Sequence, residues 1–351
     1  MRHDGGPLRI GLLGAARISR VALAEPARTG QVRLVGIAAR DRRRAEEFAA
    51  EHGVEQVLES YPAVIGSPVV EAVYNPLPNG LHGRWTRRAV QAGKHVLVEK
   101  PFAADAEEAA EVAALARRAG VVVLEGFHYY YHPVARRLRA ALASGELGRL
   151  RHAEAVFHLP APPDDDVRWS LPLAGGATMD LGCYCLHALR GLAPWAGGEP
   201  AVVAARAEIR AGRPGVDERL SADLRYPSGA TGTIRCDMAA TVRRAVFRLV
   251  GTAGTITATE FVKPQVDDRV VVEIGGARRV EHLGRRSTYA YQLAAFTAAI
   301  RHGAPVPTGA DDAVATMRLI DDCYRGAGLP LRPRSTEDIP RSHIGDVQPS
   351  E

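Results

Sequence analysis

A carboxylate, a phenol and an imidazole stand at helical spacing in one stretch of the chain, at Asp180, Tyr184 and His187. Residues at i, i+4 and i+7 line one face of a helix, so these three would form a polar stripe on an otherwise apolar element. All three groups exchange or accept protons, and a buried polar stripe needs either internal partners or a ligand. A buried hydrogen-bonded pair of Asp180 and His187 would satisfy the same spacing. Gly175 and Gly176, just upstream, allow close backbone approach at the start of the helix.

Lys100 is the second reactive candidate. The apolar run Val96-Leu97-Val98 ends in Glu99-Lys100-Pro101, and Lys94, Lys100 and Lys263 are the only lysines in a chain whose positive charge is otherwise arginine. An ammonium at the carboxyl end of a parallel strand sits where ligands bind in open α/β sheets. A surface ion pair with Glu99 is the alternative.

A third candidate is the turn Gly11-Leu12-Leu13-Gly14-Ala15-Ala16-Arg17-Ile18-Ser19, a degraded G-x-G-x-x-G in which Ala16 and Ser19 replace the later glycines. Gly14 serves the tight turn, and a small Ala16 still lets backbone amides approach a pyrophosphate at a helix N-terminus. After the next strand, where a carboxylate usually accepts the ribose hydroxyls of NAD, the chain reads Ala38-Ala39-Arg40. Alanine accepts no such bond and the planar fork of Arg40 suits a phosphate, so NADP is expected over NAD. The competing view of Arg40, Arg42, Arg43 and Arg44 as a solvated first helical turn has cations opposing the helix dipole.

The elements that must position these groups alternate short apolar runs with amphipathic stretches from Leu8 to about Phe127. Strands are expected at 9–13, 33–38, 69–74, 95–98 and 121–124, with helices at 42–52, 84–92 and 106–119, the last two closed by Gly93 and Gly120. That pattern predicts a doubly wound parallel sheet. Beyond Pro133 come a helix at 134–143, a strand at 152–158, a loop rich in Pro and Asp, strand-like runs from 201 to 274, and two helices at 289–301 and 311–325. The fold class is therefore α/β, with a second α/β domain on a mostly antiparallel open sheet. The expected domains are 7–127 and 128–332, with a polar, disordered tail over 333–351.

Hydrophobic residues at 46% and charged residues at 24% are ordinary for a globular protein. The net charge of +5 comes from arginines scattered along helix-like segments without interleaved aromatics, which argues against nucleic-acid binding. No apolar run reaches membrane-spanning length and no leader is expected at the start, so neither a membrane nor secretion is implied. Cys183, Cys185, Cys236 and Cys323 are too few and too irregular for a disulfide framework and are expected as reduced thiols in a cytoplasm. His128 and His132 follow a strand and are ended by Pro133, so no shared helix face and no metal site is expected there.

In order along the chain, GLLGAARIS, VYNPLPNGLH, HVLVEKP, EGFHYYYHP, GGATMDLGCYC and DDAVATMRLIDDCYRGAGL resemble blocks of the Gfo/Idh/MocA oxidoreductases, over about Leu8 to Arg332. The similarity is greatest to the branch containing NADP-dependent xylose dehydrogenase and dihydrodiol dehydrogenase. The resemblance implies a Rossmann domain followed by an α/β domain whose open sheet makes subunit contacts, hence a homo-oligomer, dimer or tetramer. It implies that Lys100 lies near nicotinamide and substrate hydroxyl, that Tyr184 is the acid/base residue, and that Asp180 orients the substrate. The cofactor would then be held by Gly11, Gly14, Ala15, Ala16, Arg17, Ile18, Arg40, Asn79, His82, Glu99 and Lys100. A small-molecule substrate would meet His128, Arg168, Trp169 and His187. Tyr130 and His128 depart from the family pattern in the segment that walls the substrate pocket.

The activity so implied is hydride transfer between NADP(H) and the carbinol or carbonyl carbon of a sugar, polyol or cyclic diol. A phenol with an ordinary pKa near 10 is a poor base at neutral pH, so Tyr184 would need cations such as Lys100 nearby to favour its phenolate. Reduction of a nucleotide-linked keto sugar, and a catalytically silent cofactor sensor, are the alternatives, since fold alone does not establish function.

Overall fold

The computed structural model describes residues 6–335, which divide into two compact units. The first comprises the chain up to His128 together with Tyr289–Val314, and the second comprises Tyr129–Thr288 with the chain from Ala315 onward. Most of the expected tail, 336–351, lies outside the described residues.

In the first unit five strands, β1 (Leu8–Leu13), β2 (Val32–Ala38), β3 (Ala72–Asn75), β4 (His95–Val98) and β5 (Val123–Glu125), form one parallel sheet in the order β2-β1-β3-β4-β5. β3 and most of β4 are buried, as continuous Val, Leu and Ala runs require when both faces are covered. The connecting helices start and stop where side chains dictate. Asp41 caps Arg42–His52 by accepting from the Arg43 amide at 2.9 Å, and Asp105 caps Ala106–Ala119 through the Glu108 amide at 2.7 Å. Gly53 and Gly120 end the same two helices at φ +69° and +64°, a conformation that costs a side-chain-bearing residue.

One expectation needs correcting here. Residues 289–314 pack with the first unit, whereas the sequence pattern placed them in the second domain. Among the contacts that hold them there, the Glu125 amide donates to the Thr308 carbonyl at 2.8 Å, Gly309 bridges to Leu124, and Arg301 grips Glu71 through two bonds of 2.8 and 2.9 Å.

The second unit is built on eight strands: β6 (Leu150–His158), β7 (Ala201–Ile209), β8 (Asp217–Arg225), β9 (Thr231–Asp237), β10 (Arg244–Gly251), β11 (Gly254–Ala258), β12 (Arg269–Ile274) and β13 (Ala277–His282). Their order is β13-β12-β11-β10-β6-β9-β8-β7, antiparallel throughout except for the parallel pair β6–β9. The insertion of β6 between β10 and β9 interrupts a simple meander. Burial alternates along β8 and β9, so one face of the sheet is covered. The helix Cys183–Arg190 packs on that face, with Leu189 seated against Gly232, where a Cβ would fall 2.6 Å from Leu189 Cδ2. Among the described residues, no helix is long and apolar enough to cross a membrane.

Candidate active site

In the first unit the order β2-β1-β3 reverses direction at β1, and ligands in open parallel sheets bind beyond the carboxyl ends of the strands at such a point. Gly14, immediately after β1, has φ +99°, and its amide donates to the Ala38 carbonyl at the end of β2 at 2.7 Å. A side chain at Gly14 would meet Leu77 at 3.3 Å and the Tyr61 hydroxyl at 3.6 Å. The helical run 17–27 follows, with a π-turn at Arg20–Ala24, and no side chain caps its start at Ala16. Ala15, Ala16 and Ile18 are half-buried there and Arg17 is exposed. Gly11 lies inside β1, and its missing side chain makes room for Val64, 2.6 Å from where a Cβ would be.

The four arginines after β2 sort themselves by partner. Arg42 and Arg43 pair with Glu46 and Glu47 one helical turn on, and Arg44 donates to the Ala15 carbonyl at 3.1 Å, which ties the helix to the glycine turn. Arg40 makes no ion pair among the described residues. Burial raises the Tyr61 pKa, while Arg40 and Arg44 act to lower it, which places both guanidinium groups close to the phenol beside Gly14. Two cations, an uncapped helix start and a turn kept clear of side chains fit a dinucleotide bearing an extra phosphate.

Lys100, half-buried, follows β4 at the same end of the sheet, with a cis bond to Pro101. The residues around it are turned inward. Glu99 is 6% exposed and accepts the Tyr74 hydroxyl at 2.9 Å, and Tyr74 is pushed well above the usual phenol pKa by burial, with Glu99 acting in the same direction. Glu99 is thus a buried buttress of β4 and not a surface residue. His82 is buried likewise: both ring nitrogens lie 2.6 Å from backbone carbonyls, those of Pro101 and Leu77. Burial lowers its pKa to about 4 against the raising effect of those carbonyls. Its ring clamps the loop after β3 to the Lys100–Pro101 segment. Asn75 helps, donating to the His82 carbonyl at 3.1 Å and to Thr86 at 3.2 Å, and Asn79 sits half-buried in the short turn Asn79–Leu81. His128 is fully buried with its ring 4.0 Å from that of Tyr289.

In the second unit the expected helix is continuous but not uniform. Thr178–Gly182 is a π-turn that leads into the α-helix Cys183–Arg190. Asp180 keeps 15% of its side chain exposed, with its Oδ2 3.7 Å from Arg168 Nη1. Arg168 also grips Asp166 through two bonds of 2.9 Å, so one guanidinium serves two carboxylates. Tyr184, 5% exposed, packs edge-on against Phe157 with ring centroids 5.6 Å apart, and against Tyr129 at 5.9 Å.

His187 does not pair with Asp180. Its Nδ1 meets the Tyr129 hydroxyl at 2.6 Å, and the ring is 1% exposed. Burial holds its pKa well below the usual histidine value, with Arg190 and Arg139 acting in the same direction. Trp169, 1% exposed, is also a core residue: its indole nitrogen donates to the Pro162 carbonyl at 3.4 Å and Arg210 lies over the ring. Of the expected substrate contacts, Arg168 lies beside Asp180. Spacing brought Asp180 and Tyr184 onto one helix, but nothing in it marked Tyr74 or Asn75, which act through the strand before, or Asp217, a residue of another strand. Among the described residues no cluster of His, Cys, Asp or Glu is arranged to hold a metal ion.

Residues 8–127 match the model of the oxidoreductase family with an NAD-binding Rossmann fold, and residues 135–257 match the GFO/IDH/MocA C-terminal domain. The chain belongs to the Gfo/Idh/MocA oxidoreductases. It is similar to the D-xylose 1-dehydrogenase (NADP(+)) 2 of Haloferax volcanii, 33% identical over 323 residues that cover 91% of this chain and 97% of the relative. It is 34% identical to the dTDP-3,4-didehydro-2,6-dideoxy-alpha-D-glucose 3-reductase of Saccharopolyspora spinosa, over 87% of this chain and 90% of the relative. Among solved structures, KijD10, a 3-ketoreductase from Actinomadura kijaniata in complex with NADP and TDP-benzene, superimposes with a TM-score of 0.84 at 28% identity, covering 92% of this chain and 98% of that one.

Proposed function

We propose that this oxidoreductase transfers hydride reversibly between NADP(H) and the carbinol or carbonyl carbon of a sugar, polyol or cyclic diol. The observation that carries the reading is the gathering of Gly14, Arg40 and Lys100 just beyond the carboxyl ends of β1, β2 and β4, at the reversal point of the parallel sheet. NADP, when bound, would supply the hydride acceptor or donor. Gly14, Ala15, Ala16, Arg17 and Ile18 would hold its pyrophosphate, Arg40 its 2′-phosphate, and Asn79 and Lys100 would contribute from the neighbouring loops. Tyr184 exchanges the proton of the substrate hydroxyl, Asp180, steadied by Arg168, fixes the hydroxyl's orientation, and Lys100 is the third catalytic residue.

A screen of aldoses, polyols and diols with NADP and with NAD, read by reduced-nicotinamide absorbance, tests this. Turnover with none of them under NADP would overturn it. A second reading, reduction of a dTDP-linked keto sugar, is supported by the similarity to the two 3-ketoreductases above, and the same residues would run in the opposite direction. Assembly as a homodimer or tetramer is proposed with it, supported by Val203 and Val280, exposed on the edge strands β7 and β13. A reducing, cytoplasmic location is supported by four free, buried cysteines.

A further inference from the structure

The turn that carries Asp180 is anchored by charges distant in sequence. Asp217, the first residue of β8, is fully buried, and its Oδ2 accepts the Thr178 amide at 2.7 Å and the Thr178 hydroxyl at 2.6 Å. Its Oδ1 accepts the Tyr324 hydroxyl at 3.1 Å and Nη2 of Arg332. Arg332 is enclosed as well: its side chain has no exposure, Nη1 donates to the Gly215 carbonyl at 3.0 Å and the Pro330 carbonyl at 3.3 Å, and the guanidinium lies 3.9 Å from the Tyr324 ring centre. A carboxylate accepting four bonds in the interior has one position available to it.

Thr178 opens the π-turn, where the first amides have no upstream partner within the helix. Asp217 supplies one. The Asp180 amide closes on the Gly176 carbonyl at 3.0 Å, and Gly176, at φ +130°, rests on the same charged pair. A Cβ there would fall 2.0 Å from Asp217 Oδ1 and 2.8 Å from Arg332 Nη2. Two tethers of Asp180, one through Thr178 and one through Gly176, therefore reach Asp217 and Arg332, alongside the one from Arg168. We infer that Asp217, locked by Arg332, is a positioning residue that sets where the Asp180 carboxylate points. The inference rests on the reading of Asp180 as the substrate-orienting group. A displacement of about 1 Å in such a group is worth on the order of 10²-fold in rate.

The test is a double-mutant cycle on the whole chain, with D-xylose, or the fastest sugar of the screen above, as probe. Thr178→Val removes the hydroxyl bond to Asp217 and leaves the amide bond and the packing. It is expected to lower kcat/KM about five-fold and to leave NADPH affinity, read by fluorescence, within about two-fold. In an Asp180→Asn background the same substitution should have no further effect, because Asp217 acts through Asp180. Tyr324→Phe, which removes one bond from Asp217 but spares both Thr178 bonds, should lower kcat/KM less than Thr178→Val does. Asp217→Asn, which sets an amide against Arg332, should cost more than Thr178→Val; if it does not fold, the cycle on Thr178 decides alone. A wild-type kcat/KM for Thr178→Val, or an equal loss with and without Asp180, overturns the positioning role. Full activity of Asp180→Asn by itself overturns the reading of Asp180 instead.

Discussion

Arg168 and Asp180 are joined twice, once through their side chains and once through the backbone. The guanidinium lies 3.7 Å from the carboxylate, while the Arg168 carbonyl accepts the Gly176 amide at 2.9 Å and the Gly176 carbonyl accepts the Asp180 amide. Gly175 makes this possible, since a Cβ there would fall 2.4 Å from the Arg168 carbonyl oxygen. Asp180 is thereby held in orientation by its own loop. Lysine carries the charge but cannot grip Asp166 with a fork and face Asp180 at once. Arg168→Lys is therefore expected to lower kcat/KM by about ten-fold with folding little changed; unaltered kinetics would remove Arg168 from the site.

Tyr184→Phe keeps the ring against Phe157 and Tyr129 and removes only the hydroxyl. Turnover should fall by about 10² to 10⁴, with a melting temperature close to wild type. His187, neutral and bonded to Tyr129, is no substitute base, so His187→Gln should lose stability far more than rate. The reverse pattern, an active phenylalanine variant and an inactive glutamine variant, would move the acid/base role to the imidazole.

Arg40→Ala should reverse the cofactor preference. The side chain has no ion pair to give up among the described residues, so its loss should leave stability and NAD kinetics unchanged while raising KM for NADP by about ten-fold or more. An unchanged ratio of catalytic efficiencies would place the 2′-phosphate elsewhere.

His82 makes the protein acid-labile. Its pKa is about 4 in the fold against 6.5 for the ordinary residue, so between those values the unfolded chain binds a proton that the native protein does not. The contribution is complete above pH 6.5 and is lost as pH falls to 4, about 3 kcal/mol in all. Urea unfolding at pH 7.5, 5.5 and 4.5 should show it. His82→Gln should be weaker at pH 7.5 but should lose less on acidification, and an identical pH slope in both proteins would acquit this residue.

What could be read from the sequence was whatever is local. The apolar runs ending in Gly14 and Lys100, the glycine-closed helices 42–52 and 106–119, and the spacing of Asp180 and Tyr184 all depend on neighbours within a turn or two. Placement of residues 289–314 depends instead on Arg301 meeting Glu71, 230 positions away. The histidines show the same limit. His82, His128 and His187 share a residue type with many active sites, yet each is consumed by a contact that composition and spacing do not encode: two carbonyls, a tyrosine ring and a tyrosine hydroxyl. The π-turn at Thr178–Gly182 was hidden too, and the acid that accepts its Thr178 amide, Asp217, lies 39 positions away.

That acid sets an order of events in synthesis. Arg332 follows Asp217 by 115 residues, which at ~5–20 residues per second is roughly 6 to 23 s of ribosome time. For nearly all of that time the Asp217 carboxylate has Thr178 but neither Tyr324 nor a cation, and burying it costs more than leaving it in water. The five strands of the first unit's sheet are complete at Glu125, but Arg301, Thr308 and Gly309, which bond Glu71 and β5, are also made late, so both units wait on the C-terminal part of the chain.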